Sequence, residues 1–232
     1  MKQLAHLNRS LIFHRLWKGW LRKQMFRHGA FLRFPPYSAE KHELVISTRD
    51  PVRYTTVALA IHILEQAAVP GSFAEVGVYR GDTSRIIHRL APNRRLYLFD
   101  TFEGFPAQDI EVPDDRFRET NLEMLREKLG DLENIFIRKG YFPETAVGLE
   151  NERFAFVMLD VDKYKSTAAG LQFFYPRLSG QGFLMVHDYN SPESDYAVAR
   201  AVDEFMAGKP EQISPVADSG GSVLFRKLRQ TA

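Results

Sequence analysis

Two stretches of the chain carry side chains whose types and spacing suit chemistry at a single point. Asp160-Val161-Asp162-Lys163 follows the apolar run 154–159, and His187-Asp188-Tyr189-Asn190 follows the run 183–186. If the runs are neighbouring strands, carboxylates at their ends converge above the sheet. Like charges held together are costly unless a cation lies between them. With no cysteine in the chain, such a cation must sit on oxygen or nitrogen, and the carboxylates at these two run ends are placed to meet it. Oxygen ligands with open positions suit Mg2+ first and Mn2+ next. Asp162, two residues past Asp160, is a candidate general base and Lys163 competes for that role. A structural alternative is that Asp162 and Asp188 cap the helices that follow or pair with Lys163 and Lys165.

A second constellation lies earlier. The run 73–78 contains Glu75 and Gly77 and leads to Gly81, Thr83 and Ser84, and a second run ends Asp100-Thr101-Phe102, 25 positions after Glu75. Glycines after a first strand let a ligand approach the backbone closely, and an acidic residue closing the second strand can accept hydrogen bonds from two ribose hydroxyls. The turn is GxxxG rather than the GxGxxG that fits a pyrophosphate, which disfavours a dinucleotide and an NAD-dependent oxidoreductase. A ligand with a ribose and no phosphates is preferred, and S-adenosylmethionine is one. Gly140 closes a third run, while Phe102 and Tyr141 either stack on an adenine ring or are ordinary core or surface aromatics.

These residues need a scaffold that brings strand ends together. Short apolar runs at 73–78, 96–99, 135–137, 154–159 and 183–186 alternate with helical patterns at 83–90, 117–129, 167–178 and 196–206, after a first helix at 52–68. Strands buried on both faces and separated by helices predict an α/β fold: a doubly wound, mostly parallel sheet with helices on both faces. A late run at 222–225 can add an edge strand. Ligands in such sheets bind at the carboxyl ends of the strands, and every strand end here carries a glycine or an acidic residue.

In 232 residues, 44% apolar and 26% charged, there is room for one generous domain with a real core, and disorder is excluded as a whole-chain reading. Residues 1–39 hold eight Lys/Arg and no acidic residue, leaving 23 basic against 29 acidic residues beyond. The chain thus divides into a basic amphipathic helical segment, 1–39, and a mildly acidic domain, 40–232. Trp17 and Trp20 among the basic residues fit peripheral contact with an anionic membrane through residues 1–34, or packing against the active site or a partner subunit. The longest apolar stretch near the N-terminus has three residues, far short of a ~20-residue span, so a cytoplasmic protein is expected. Nucleic-acid binding is not expected, since the body is acidic and no recognition motif appears. The acidic stretch 109–115 reads as a solvated, mobile loop near the mouth of the site.

From about Val69 to Lys227 the chain resembles the macrocin O-methyltransferase family, the metal-dependent sugar O-methyltransferases of macrolide and aminocoumarin biosynthesis. The resemblance rests on ordered blocks: Glu-Val-Gly-Val-Tyr-Arg-Gly at 75–81, Phe-Asp-Thr-Phe-Glu-Gly-Phe-Pro at 99–106, Lys-Gly-Tyr-Phe-Pro-Glu-Thr at 139–145, Asp-Val-Asp-Lys-Tyr-Lys-Ser-Thr at 160–167 and Tyr-Pro-Arg-Leu-Ser-Gly-Gln-Gly-Phe at 175–183. It implies a Rossmann-like methyltransferase fold, S-adenosylmethionine held by Asp100, a metal on Asp160 and Asp188, Asp162 as base, a small-molecule hydroxyl acceptor and a homo-oligomer. The family ends its fifth strand with two adjacent aspartates, whereas this chain has His187 in the first position. Imidazole is a poor ligand for hard Mg2+, so His187 lies outside the ligand set, ligates a softer ion such as Mn2+, or marks loss of the metal. Asp-x-Asp-Lys followed by Asp188 and Asn190 is also similar to the catechol and caffeoyl-CoA O-methyltransferases, which implies Lys163 as base and Asn190 as a third ligand. The 99–106 and 175–183 blocks favour the sugar family. A non-catalytic nucleoside-fold module, tethered by the basic head, is the alternative from another class, and His187 is its support.

Overall fold

The computed structural model describes residues 38–110, 114–130 and 132–229, together with Trp20 and Gln24. The chain divides between residues 33 and 34, and apart from those two residues the predicted basic helix lies outside the described part. No helix among the described residues is long and apolar enough to cross a membrane.

From Ser38 onward the chain forms one seven-stranded sheet with helices on both faces. The elements are α1 (Ala39–Ile46), α2 (Pro51–Gln66), β1 (Ser72–Val76), α3 (Asp82–Leu90), β2 (Leu96–Asp100), α4 (Leu122–Leu129), β3 (Ile135–Lys139), β4 (Phe154–Leu159), α5 (Tyr164–Phe174), β5 (Leu178–Val186), α6 (Ala197–Met206), β6 (Ser214–Pro215) and β7 (Val223–Arg226). Strand order is β3-β2-β1-β4-β5-β7-β6, parallel except for β7, which runs antiparallel to both β5 and β6. The order reverses between β1 and β4, the place where such sheets open a crevice.

Side-chain alternation assigns the two faces. Phe73, Phe156 and Met158 pack with Val57, Ile61, Ile87 and Leu125, whereas Ala74, Val76, Val157 and Leu159 pack with Leu171, Phe174 and Val198. Each fully buried Phe on these faces contributes roughly 1.5–3 kcal/mol by leaving water. Phe142 stacks on Phe174 at 5.4 Å and meets Phe99 edge-on at 5.2 Å, which ties the turn after β3 to the end of β2 and to α5.

Some boundaries differ from the sequence reading, for local reasons. Helix α4 begins at Leu122 rather than 117, because Phe117 has a left-handed φ of 65° and Asn121 caps the helix by accepting from Met124 N. Helix α5 starts at Tyr164 and stops at Phe174, since Pro176 bars its continuation and the chain turns into the longer strand β5. The run 222–225 forms a strand but not the sheet edge, which is β6. Helix α1, capped by Ser38 Oγ, was not anticipated.

Candidate functional site: a cavity across the ends of β1, β2, β4 and β5

Register brings the chemical residues side by side. Val76 pairs with Phe99 on one side and Leu159 on the other, and Leu159 pairs with Val186, so Gly77, Asp100, Asp160 and His187 emerge at one level. Backbone bonds carry the ladder one step past the strands: Gly77 N donates to Phe99 O, Asp160 N to Val76 O and His187 N to Leu159 O. Above them lies a cavity of about 330 Å3 lined by Glu75, Gly77, Thr83, Asp100, Thr101 and Gly140 on one side and by Asp160, Asp162, His187 and Asp188 on the other.

At the β1–β2 end the chain approaches itself too closely for side chains. A Cβ on Gly77, whose φ is 86°, would lie 1.8 Å from the Asp160 carbonyl oxygen, so only glycine joins the two halves of the cavity here. Asp100 organises the turn: its Oδ2 accepts from Val78 N at 2.7 Å and Tyr79 N at 2.8 Å, and its Oδ1 from Phe102 N at 2.6 Å. Oδ1 keeps one lone pair for a further donor. Glu75 is buried, which pushes its carboxyl well above the usual range, and Ser84 Oγ donates to it.

Not every predicted cofactor residue reaches the cavity. Phe102 has a left-handed φ of 54° and its ring is in the core, so it offers a backbone N–H to Asp100 rather than a stacking face. Gly81 opens α3 with φ 75°, where a Cβ would lie 2.3 Å from Leu125 Cδ1, and Ser84 acts through Glu75. Tyr141 does line the wall, with its hydroxyl donating to Asp109 at 3.0 Å.

The β4–β5 end is charged and strained. Asp162 and Asp188 both have a φ of 57°, uncommon for non-glycine residues and concentrated at functional sites. Burial, then the Asp160 and Asp188 charges, push the Asp162 carboxyl up to about 8. Burial acts on Asp160 in the same direction but is outweighed by His187 and by Arg53, whose Nη1 donates to Asp160 Oδ2 at 3.1 Å; its carboxyl stays below the usual range. His187 Nδ1 lies 2.9 Å from Asp188 Oδ2 and 3.1 Å from Asp160 Oδ1, too obliquely for a hydrogen bond, and neither ring nitrogen has a hydrogen-bond partner. Burial would lower the His187 pKa, yet Asp160 and Asp188 push it up to about 10. A buried, orphaned ring nitrogen converging with two carboxylates within 4.8 Å fits a divalent cation. This mixed nitrogen and oxygen set suits Mn2+ better than Mg2+.

Lys163 turns away from this group. Its ammonium binds Asp114 at 2.8 Å and lies 4.1 Å from the Phe105 ring centroid, outside the cavity wall. Asp114 also binds Arg116, which reaches Glu193 at 3.4 Å. The acidic stretch 109–115 is therefore not a solvated loop in its described part: Asp109 accepts from Tyr141 and Ser166, and Asp114 is an anchor. Arg53 and the 218–221 loop were missing from the sequence reading, which set Asp109 near the mouth of the site without the partners it has here.

A family model, Macrocin-O-methyltransferase (TylF), matches residues 50–219. The chain belongs to the macrocin O-methyltransferase family. Among its relatives, the 8-demethyl-8-(2,3-dimethoxy-alpha-L-rhamnosyl)-tetracenomycin-C 4'-O-methyltransferase of Streptomyces olivaceus is 36% identical over 143 residues, 52% of this chain and 54% of the relative. Mycinamicin III 3''-O-methyltransferase of Micromonospora griseorubida is 31% identical over 163 residues, 59% of this chain and 63% of the relative. The matched region thus spans little more than half the length of these curated relatives. The solved structure of the O-methyltransferase NovP aligns with a TM-score of 0.66 at 24% identity, covering 77% of this chain and 81% of that one. The calicheamicin methyltransferase CalS11 aligns at 0.58 and 19% identity, covering 84% and 96%. These two alignments establish the shared fold, a Rossmann-like methyltransferase sheet, and membership of the family agrees with the resemblance read from the motif blocks.

Proposed function

We propose that the protein moves a methyl group from S-adenosylmethionine to a hydroxyl of a sugar or glycosylated small molecule, assisted by a divalent cation. The observation that carries this reading is the single cavity walled at one end by Gly77, Asp100 and Thr101 and at the other by Asp160, Asp162 and Asp188. The names of the family relatives, which describe O-methylation of natural-product glycosides, support it.

The Asp100 carboxylate accepts from a ribose hydroxyl through Oδ1, while Gly77 admits the cofactor against bare backbone. Asp160, His187 and Asp188 would hold the cation. When bound, it supplies Lewis-acid polarisation of the acceptor hydroxyl, an intrinsically weak acid. Asp162, which lines the cavity between the Asp160 and Asp188 strand ends, takes the hydroxyl proton. Lys163 is not the base, because its ammonium is committed to Asp114. The aromatic group of Tyr79, Phe105 and Phe117, joined edge-to-face at 5.1 and 5.3 Å, forms the acceptor-side wall.

Calorimetry with S-adenosylmethionine is the first test, and absence of binding sinks the proposal. Turnover of glycoside acceptors should fall at least tenfold in EDTA and return with Mn2+. Turnover untouched by both EDTA and Asp160→Ala would remove the cation from the proposal.

A further inference from the structure

The His187 ring has two polar edges, and the proposed centre uses only Nδ1. One ligand atom each of Asp50, Asp218 and the His187 ring also lie within 4.8 Å of one another. The Nε2–Cε1 edge of the ring packs on Gly220, where a Cβ would come within 2.5 Å of Nε2 and 2.4 Å of Cε1. That edge therefore faces the loop that carries Asp218. The side chain is only 8% exposed and Nε2 has no hydrogen-bond partner, an uncommon state for a buried ring nitrogen.

Of the two outer carboxylates, Asp218 has the greater capacity to accept, with two donors against four on Asp50. Asp50 Oδ1 takes Arg53 N, and its Oδ2 takes Ser219 N, Ser219 Oγ and Arg53 Nε, which fills that oxygen. Asp218 Oδ1 takes Ser222 N at 2.7 Å and its Oδ2 takes Ser222 Oγ at 2.6 Å, so each oxygen keeps a lone pair.

We infer that Asp218 is the outer carboxylate of a carboxylate–histidine–metal arrangement: it accepts Nε2–H of His187 and presents Nδ1 to the ion shared with Asp160 and Asp188. The inference rests on the cation in the proposed function. A partner of this kind fixes the tautomer and ring orientation of a ligating histidine and raises its basicity. It makes the loop between β6 and β7 part of the centre. It is also specific to a chain with histidine at position 187, since an aspartate there has no N–H to give.

Mn2+ binding to the full-length protein, followed by the EPR signal of the free ion, tests this. Asp218→Asn should weaken Mn2+ about 10–100-fold. In a His187→Asp background the same change should leave Mn2+ affinity within about twofold, because the coupling between the two positions is gone. A measurement without substitutions guards against misfolding: with 15N-labelled histidine and 113Cd2+, the metal coupling should appear on Nδ1 of His187 while Nε2 stays protonated. Unchanged affinity in Asp218→Asn, or coupling on Nε2, overturns the role of Asp218 alone. No Mn2+ binding by the unsubstituted protein overturns the cation as well.

Discussion

At the β1–β2 end of the cavity the polar groups satisfy one another, whereas at the β4–β5 end they do not. Asp100 accepts three backbone N–H groups and Ser84 donates to Glu75, so the turn proposed to receive the cofactor is held by the chain itself. Around Asp160 and Asp188 the same chain keeps an orphaned imidazole, a carboxyl pushed up to about 8 and two left-handed aspartates. The contrast matches a division of labour. Binding a large ligand benefits from preorganisation, and the proposed alkylation of a weakly acidic hydroxyl would benefit from groups whose charge a cation and an acceptor complete.

The comparison is broken most severely where the two ends touch. Gly77→Ala places a Cβ 1.8 Å from the Asp160 carbonyl at a φ that disfavours alanine. It should cost at least about 3 kcal/mol, read as a lowered denaturation midpoint, and should impair both cofactor and metal binding. A midpoint close to that of the unsubstituted protein would show that the ends can separate. The next effect is confined to one end. Asp162→Asn should lower turnover by about 10^2–10^4 and leave S-adenosylmethionine affinity within a few fold in calorimetry. Smaller again is Asp100→Asn, which keeps one accepting oxygen but leaves a backbone N–H of the turn unpaired. Cofactor affinity should drop by about 1–3 kcal/mol while metal binding is unaffected.

The satisfied end was the more legible in the sequence, and the reason is physical. Close backbone approach requires glycine, so Gly77 marked its own position, and the acidic residue closing β2 marked the turn whose N–H groups it holds. Asp160, Asp162 and Asp188 were legible for a similar reason, as charged residues directly after buried strands. Arg53, Asp50 and Asp218 were not. Arg53 lies 107 positions from the Asp160 it binds, and a charged residue in the first turn of a helix carries no signal of what it faces. Phe102 differs in the opposite direction: an aromatic residue after a strand reads alike whether its ring lines a pocket or fills the core, and here the ring packs in the core. The acidic stretch 109–115 looked solvated because its cations, Lys163 and Arg116, lie beyond it in the chain.

Lys163 offers the smallest and most discriminating change. If it only anchors the segment that carries Phe105 and Phe117, Lys163→Met removes one of the two cations on Asp114. The acceptor KM should then rise several-fold, about 1 kcal/mol, with kcat within roughly twofold. Segment 114–118 should also become easier to cleave in limited proteolysis. Hydrogen bonding to Arg116, opposed by burial and reinforced by Lys163, holds the Asp114 carboxyl well below the usual range. Its stabilisation is therefore complete above the unfolded value of about 3.9 and fades only as pH falls below that, through the depressed folded value. The KM effect should accordingly be flat between about pH 6 and 9. A loss of kcat as large as that of Asp162→Asn would instead make Lys163 the base, and the charged end would then work in the catechol-type way.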